Sequence, residues 1–178
     1  MAPHHPEGVV PSANQGTYHA ADLTVTLAIA DARQSIQTVR SQWADAIYLD
    51  PFSPRRCPQL WTVEFLAQLA RCLKPDGYVV TYSCAAAVRG ALLEVGLSVG
   101  STPPLGRKAP GTIAAFTPLP PLSRLEQELL STRAAIPYRD PTLTDTAAQI
   151  IQRRQQEQSQ SDRETSSSWR RRYPEIPQ

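Results

Sequence analysis

The chain has 178 residues, enough for one domain with its own hydrophobic core, and its net charge of +2 gives no indication of a nucleic-acid partner. Its three cysteines form no pair at metal-ligand spacing, and its three histidines all lie in the first 19 residues, which argues against a zinc site. The N-terminus lacks the basic and apolar regions of a signal peptide, and no apolar run approaches the roughly 20 residues of a membrane span. We therefore expect a cytoplasmic protein that does not interact with a membrane.

The N-terminal part predicts a disordered segment followed by alternating strands and helices. Residues 1–20 combine Pro, His and Asn without periodicity, and we expect them to be disordered. The segment LTVTLAI at 23–29 favours a strand, and Asp31 stands where it would cap a following helix. The segment DAIYLD at 45–50 has the short apolar pattern of a strand buried on both faces, which is typical of parallel sheets.

The middle of the chain repeats this alternation. An amphipathic helix is indicated at 61–73, where apolar residues recur on one face: Trp61, Phe65, Leu69 and Cys72. Strands are then predicted at 78–83, 97–100 and 112–117, with a helix of small residues at 85–96. A glycine-containing loop joins the last two strands without a helix, which favours an antiparallel return. The sequence thus predicts an α/β fold whose sheet is mainly parallel with one antiparallel strand.

The composition changes after the last predicted strand. Ser123 and Glu126 have capping-box spacing, so we expect helices in an extension that covers 119–156. Residues 157–178 are rich in Gln, Ser and Arg and are expected to be a disordered tail. The WRRRYPEIP segment of this tail either stacks on bases, binds acidic partners or is simply unstructured. The alternating unit between these flanks spans residues 22–118.

The predicted strand at 45–50 ends in DPFSP, which has two interpretations. Asp and Pro both favour chain reversal, so Asp50 can be an ordinary turn residue. Ligands of open α/β sheets, however, bind just beyond the carboxyl ends of the strands. There the carboxylate of Asp50 can accept an N–H bond from a substrate, and Phe52 can offer its ring face to a base or a cation. Both interpretations remain open.

Several basic residues are candidates for contacts with RNA phosphates. They are Arg55, Arg56, Arg89, Arg107 and Lys108. Solvated surface charge is the ordinary explanation for any one of them, and Arg89 can equally pair with Glu94 or lie along its helix. Their predicted convergence near one edge of the sheet is what favours RNA.

Five short motifs occur in order along residues 22–118. They are D-P-F-S-P, C-P-Q-L-W-T, T-Y-S, A-A-A-V-R and G-R-K. In this order and spacing they resemble the MnmC-type tRNA methyltransferases, which carry corresponding motifs in their methyltransferase domain. One such motif would be weak support, but five in register are specific.

The resemblance implies a class I methyltransferase (Rossmann-like) sheet and S-adenosylmethionine as the cofactor. It also implies tRNA as the substrate, with N-methylation of the aminomethyl group on the wobble uridine. Longer members carry an additional oxidoreductase domain, so an oxidoreductase partner is a further expectation. The resemblance supports Asp50 as the catalytic residue and implies that Asp31 stands where the family contacts the adenine of the cofactor, although capping the next helix is an equally sufficient role for Asp31. Together with the residue chemistry above, the candidate site residues are Asp50 for catalysis, Asp31 and Phe52 for the cofactor, and Arg89, Arg107 and Lys108 for RNA.

The sequence departs from the family at the cofactor pocket. Class I methyltransferases bind the cofactor through a glycine-rich turn after their first strand and an acidic residue after their second. No G-x-G precedes the segment at 23–29, so we expect only the C-terminal portion of the domain, with an incomplete sheet and weak cofactor binding at best. A misplaced gene start, a truncated gene and a lost activity are three explanations, and a separate polypeptide could supply the missing part.

Two further expectations follow from this departure. The first is a rival function, in which the chain is a non-catalytic remnant or an RNA-binding fragment. The second concerns the sheet, because an unpaired central strand leaves its backbone groups unsatisfied. We expect residues 23–29 to pair directly with residues 45–50 in a compact structure, and the chain alone to be poorly soluble in solution.

Overall fold

The computed structural model describes residues 15–104, 106 and 108–173, and within them it forms strands and helices in alternation. The strands are β1 (Gln15–Ala20), β2 (Leu23–Ala28), β3 (Ala44–Tyr48), β4 (Leu73–Thr81), β5 (Ser98–Thr102) and β6 (Gly111–Ala115). The helices are α1 (Ala32–Thr38), α2 (Val63–Cys72), α3 (Ala86–Glu94), α4 (Arg124–Leu130), α5 (Ala147–Gln160) and α6 (Ser166–Arg171). Short 3-10 turns cover Pro58–Trp61 and Arg133–Ala135.

The main sheet has four strands in the order β3-β4-β6-β5. Strands β3 and β4 are parallel, with Ile47 opposite Val79. Strand β6 runs antiparallel to both of its neighbours, β4 and β5. Three strands therefore share one direction and β6 is reversed, which confirms the predicted α/β fold with a mainly parallel sheet and one antiparallel strand.

The hydrophobic core lies between this sheet and helices α2 and α3. The predicted apolar face of α2 is buried as expected, and Thr62 caps the helix by accepting a bond from the backbone N–H of Phe65. Helix α3 approaches the turn Arg133–Ala135 so closely that a Cβ on Gly90 would lie 2.4 Å from the carbonyl oxygen of Ala135. Helices α2, α3 and α5 contribute to this core with Phe65, Leu66, Leu69, Leu92 and Ile150, and Trp61 of the 3-10 turn is its largest fully buried side chain.

The N-terminal strands form a separate two-stranded sheet, which corrects two expectations. Residues 15–20 were expected to be disordered, but they form β1 and pair antiparallel with β2, with Tyr18 opposite Val25. The expectation that residues 23–29 pair with 45–50 is wrong for the same reason. A two-residue connection closes this hairpin at little cost in loop entropy, whereas pairing with β3 would require closure across α1. Residues 1–14 lie outside the described part of the chain.

The C-terminal region is also more ordered than the sequence predicts. The capping box of Ser123 and Glu126 at the start of α4 is confirmed. Residues 157–178 were expected to be a disordered tail, yet α5 continues to Gln160 and α6 packs through Trp169, which is only 4% exposed. Arg133 fastens the connecting segment by donating to two of its backbone carbonyls. Residues 174–178 lie outside the described part. Among the described residues, no helix has the length and apolar character needed to cross a membrane.

Candidate functional site

The loop that follows β3 carries Asp50 and Phe52. The backbone N–H of Leu49 still donates to the carbonyl of Val80 at 2.9 Å, so Asp50 is the first residue beyond the parallel pairing of β3 with β4. The loop therefore emerges at the carboxyl end of a parallel strand, where ligands of open α/β sheets bind. This position agrees with the site interpretation of the DPFSP motif and does not exclude the turn.

Two aromatic side chains hold this loop in place. The indole Nε1 of Trp61 donates to the carbonyl of Phe52 at 2.9 Å, and the hydroxyl of Tyr82 donates to the carbonyl of Pro51 at 2.9 Å. The two rings meet edge to face, with their centroids 6.4 Å apart. Three of the five sequence motifs thus converge, because Trp61 belongs to C-P-Q-L-W-T and Tyr82 to T-Y-S.

Sequence reasoning recognised these motifs but missed the roles of Trp61 and Tyr82. Trp61 is fully buried, and a buried indole N–H needs an acceptor. That requirement was readable from the sequence once Trp61 was assigned to a core face. The identity of the acceptor, a carbonyl nine residues earlier, depends on how the loop turns back over α2.

An open cleft of about 570 Å³ lies against the loop. Its lining consists of Asp50, Pro51, Phe52, Ser53, Arg56, Cys57, Leu60 and Tyr82. Asp50 is exposed, and the ring of Phe52 is 72% exposed although it is large and apolar. An exposed carboxylate and an exposed aromatic face therefore share one concave surface with the cation of Arg56. Such a surface can accept hydrogen bonds from an amine and can receive a cationic or aromatic ligand.

Asp31 caps α1, as the sequence predicts, by accepting a bond from the backbone N–H of Arg33 at 2.9 Å. The guanidinium of Arg33 also pairs with the carboxylate of Asp31 at 2.7 Å, and these bonds hold the pKa of Asp31 below its usual range. Asp31 does not line the cleft with Asp50, but α1 contacts the 3-10 turn Pro58–Trp61, which forms part of the cleft wall. Its role in cofactor binding stays a prediction.

The structure corrects the prediction that Arg89 contacts RNA. Arg89 is only 2% exposed, and its guanidinium donates to Thr112, Glu126, Ser101 and the carbonyl of Gly111. The alternative pairing with Glu94 is also wrong. The hydroxyls of β5 and β6 and the carboxylate of α4 surround the inner face of α3 and satisfy this buried cation.

Glu126 receives this cation and links α4 to the sheet. Its Oε1 accepts from Arg89 at 2.7 Å and from Ser101, while its Oε2 accepts from Ser123. Burial alone would raise the pKa of Glu126, but the hydrogen bonds from Ser101, Arg89 and Ser123 lower it to about 2. Arg89 and Glu126 therefore join α3, β5, β6 and α4 as parts of the structure.

The other candidate cations are not all gathered at one place. Arg55 and Arg56 are exposed, and Arg56 lines the cleft. Lys108 is exposed on the connection between β5 and β6 and does not line the cleft. Arg107 lies outside the described residues. Contacts of Arg107 and Lys108 with RNA stay a prediction, and within the described residues no group of three or more His, Cys, Asp or Glu side chains is placed to hold a metal ion.

Comparison with known proteins identifies the family of this chain. Residues 5–117, more than half of the chain, match the model of a family described as S-adenosyl-L-methionine-dependent methyltransferases. A relative from Ralstonia nicotianae, named tRNA 5-methylaminomethyl-2-thiouridine biosynthesis bifunctional protein MnmC, is 40% identical over 107 residues, which cover 60% of this chain and 16% of the relative. The protein of the same name from Paracidovorax citrulli is 34% identical over 128 residues, covering 72% of this chain and 20% of the relative.

A solved structure extends the comparison to the fold. The crystal structure of MnmC2 from Aquifex aeolicus superposes with a TM-score of 0.77 at 34% identity, covering 82% of this chain and 48% of that one. This chain thus spans about half of the solved relative and a fifth or less of the two bifunctional relatives. Together with the matched family model, the shared sheet and the converging motifs establish that the chain belongs to the S-adenosyl-L-methionine-dependent methyltransferase family and is similar to the methyltransferase portion of MnmC proteins.

Proposed function

We propose that this chain takes part in the N-methylation of the aminomethyl group on the wobble uridine of tRNA, with Asp50 beside the acceptor nitrogen. The observation that carries the proposal is the exposed Asp50 and Phe52 on one cleft, in a loop anchored by Trp61 and Tyr82. The names of the bifunctional relatives, which place them in the biosynthesis of tRNA 5-methylaminomethyl-2-thiouridine, support the choice of substrate.

The chemistry asks little of the protein beyond position and hydrogen bonding. Methyl transfer to an amine is an in-line displacement: the lone pair of a neutral nitrogen would bond to the methyl carbon as the bond from that carbon to the sulfonium sulfur breaks, and sulfur would leave with the electron pair as a neutral thioether. Asp50 accepts an N–H bond from that nitrogen, which orients the lone pair, and takes up the proton that the product ammonium releases. General-base assistance of this kind typically contributes about 10²–10⁴ in rate. The anchored loop keeps the carboxylate in place while the reaction proceeds.

The residues present fit one side of a site for S-adenosylmethionine. When bound, this cofactor supplies a methyl group activated on a sulfonium cation. The exposed face of Phe52 suits a cation, and the carboxylate of Asp31 retains lone pairs for donors on the adenosine portion. The sequence contains no G-x-G, so the opposite side of the pocket has to come from another segment.

We infer that this segment adds to the free edge of β3. Among the described residues no strand pairs with the edge of β3 that faces away from β4. Tyr48 on this strand is 81% exposed, and the apolar residues of and just after β2 are about half exposed: Leu23, Val25, Leu27 and Ile29. An unpaired strand edge favours association with a further strand, and the exposed apolar side chains of the separate hairpin favour contact with a partner surface. We assign this edge to a polypeptide segment that completes the cofactor pocket, carried either on a longer chain or on a separate protein.

Positive charge near the cleft supports tRNA as the substrate. Arg55 and Arg56 are exposed at or next to the cleft and follow directly on the DPFSP loop. Phosphate contacts from these residues would hold the anticodon loop while the modified base enters the cleft. The same cations also support the second candidate function, an RNA-binding fragment without activity.

One assay separates the two functions. The chain, alone and with the translated sequence upstream of Met1 added, is incubated with labelled S-adenosylmethionine and tRNA that carries the unmethylated aminomethyl group. We expect methylated wobble nucleoside from the extended form and little or none from the chain alone. Filter binding of the same tRNA runs in parallel. Binding of tRNA without methyl transfer by either form would favour the RNA-binding fragment.

A further inference from the structure

A turn of the C-terminal region, residues 138–145, packs against the first turn of α1. Asp140 lies at its centre and is fully buried. One carboxylate oxygen of Asp140 accepts from the backbone N–H groups of Thr144 and Asp145, each at 3.1 Å. The other oxygen pairs with the guanidinium of Arg33 at 2.8 Å. The turn thus closes around a carboxylate that reaches across 107 residues of sequence to α1.

Arg33 connects this buried carboxylate to Asp31. Its Nη1 atom contacts Asp140 and the carbonyl of Asp145, while its Nε and Nη2 atoms contact the carboxylate of Asp31. The Arg33 side chain is only 12% exposed, so it is wedged between the two acids. We call Asp31, Arg33 and Asp140 the carboxylate clamp.

The turn that carries Asp140 is itself held firmly. The backbone of Leu143 has φ of 57°, in the left-handed region that non-glycine residues seldom adopt, and its side chain is buried in the core. The carbonyl of Leu143 accepts from the side chain of Gln34 on α1. The buried side chain and this hydrogen bond offset the unfavourable backbone conformation of Leu143, so the surrounding residues fix the shape of the turn.

The same turn is joined to the start of α2. The side chain of Glu64 accepts from the backbone N–H of Asp140 at 2.7 Å, and the carbonyl of Tyr138 accepts from the N–H of Val63 at 3.0 Å. Helix α2 begins at Val63, two residues after Trp61, whose indole holds the loop of Asp50 and Phe52. One turn of the C-terminal region is therefore fixed both to α1, which Asp31 caps, and to the start of α2, close in sequence to the Trp61 that anchors the loop of Asp50 and Phe52.

We propose that Asp140 is a positioning residue for cofactor binding, because it fixes Arg33 and through it the carboxylate of Asp31. The proposal rests on the proposed function, in which Asp31 receives a donor from the adenosine portion of the cofactor. Capping α1 requires only one oxygen of Asp31 and no contact with Asp140. The clamp goes further: it occupies one side of the carboxylate with Arg33 and leaves the remaining lone pairs in a fixed direction.

The test compares Asp140→Asn with Arg139→Gln in the 178-residue chain. The control removes ion pairs to Glu94 and Glu157 from the neighbouring position and leaves the clamp intact. Amide hydrogen exchange, measured well below the melting temperature, follows the backbone N–H of Arg33, which bonds to Asp31. We expect Asp140→Asn to accelerate exchange of this amide by about 10-fold relative to the control. Unchanged exchange would overturn the clamp.

Cofactor affinity supplies the second measurement. In the form that transfers methyl groups, we expect Asp140→Asn to raise the Kd for S-adenosylhomocysteine by about 10-fold, with kcat at saturating cofactor within about two-fold of wild type. If the wild type binds S-adenosylhomocysteine and the variant binds it with the same Kd, the positioning role of Asp140 is overturned and the proposed function is not. No binding by the wild type overturns the proposed function together with it. If Asp140→Asn does not fold, Arg33→Lys replaces it in both measurements. Lysine keeps the positive charge but lacks the guanidinium group that bonds to Asp31 and Asp140 at the same time.

Discussion

The N-terminal and C-terminal regions of the molecule reverse what their compositions suggest. The structure describes all of residues 16–48, and none of them is buried, although β2 carries an alternating apolar pattern. Residues 119–173 are polar and rich in Gln and Arg, yet they bury Asp140, Ile150 and Trp169 almost completely. A hydrophobic segment can thus remain exposed while a polar one is well docked.

The two regions differ in the contacts that hold them in place. The two strands of the N-terminal hairpin pair with each other, but the apolar side chains of Leu23, Val25 and Leu27 remain about half exposed. The C-terminal region has few apolar anchors but many directed bonds from arginines to backbone carbonyls, such as those from Arg154 to Ile136 and Ala134. Whether a segment packs against the rest of the molecule depends on the hydrogen bonds and apolar contacts that it makes there, and composition alone does not decide it.

The largest effect is expected where the N-terminal region meets the cleft, at Asp50. In the methyl-transferring form, Asp50→Ala should lower turnover by about 10²–10⁴ and leave the melting temperature unchanged, because the side chain is exposed. Single-turnover kinetics with labelled cofactor measure the loss. The matched control is Asp45→Ala, an exposed acid on β3 whose only ion pair among the described residues is with Lys74. A wild-type rate in Asp50→Ala would return Asp50 to the turn interpretation.

The next effect concerns the link between the core and the C-terminal region. Arg89→Ala should reduce the free energy of unfolding by about 3–5 kcal/mol, because Glu126 and two hydroxyls lose their buried partner. Urea denaturation measures it, with Arg124→Ala, an exposed arginine on α4, as the control. A loss in Arg89→Ala no larger than in the control would contradict the structural role assigned here.

Truncation of Trp169 tests whether the last helix is truly docked. We expect Trp169→Ala to cost about 2–4 kcal/mol, below the full range for a core tryptophan because α6 can detach locally. Proteolysis within 161–173 should become faster, whereas Arg170→Ala, an exposed neighbour, should leave it unchanged. Equal proteolysis rates in the two variants would restore the expectation of a disordered tail.

A smaller effect should appear on acidification. The folded-state pKa of Glu126 is about 2, below its ordinary value of 4.5, so its contribution to stability is fully present above pH 4.5. It is lost as the pH falls from about 4.5 towards 2, and after allowance for solvent screening it amounts to on the order of 2 kcal/mol. Unfolding measured between pH 6 and 2.5 should show this loss in wild type and a shallower slope in Glu126→Gln.

The smallest effect is expected on the exposed apolar face of the hairpin. Leu27→Thr should change the free energy of unfolding by less than about 0.5 kcal/mol, because the side chain is already half exposed. Leu66→Ala, in the fully buried face of α2, should cost about 2–5 kcal/mol in the same measurement. A large loss in Leu27→Thr would show that the hairpin packs against this chain after all, which would remove the main difference between the two regions.

Local patterns were enough to predict most of the fold. The pattern of apolar residues located β2, β3, α2 and α3, while side-chain chemistry identified the cap at Asp31 and the capping box that begins α4 at Ser123. These features depend on neighbours a few residues away, so the sequence displays them directly. The motifs also led to the family and to the loop of Asp50 and Phe52.

What only the tertiary structure decided are the contacts between distant residues. The burial of Arg89, the anchoring of the loop by Trp61 and Tyr82, and the ion pair of Arg33 with Asp140 join positions 9 to 107 residues apart. The same holds for the docking of Trp169 in a segment whose composition is that of a disordered tail. A cation near the surface and one in the core look alike in sequence, because the difference lies in whether other elements bring hydroxyls and carboxylates within hydrogen-bonding distance.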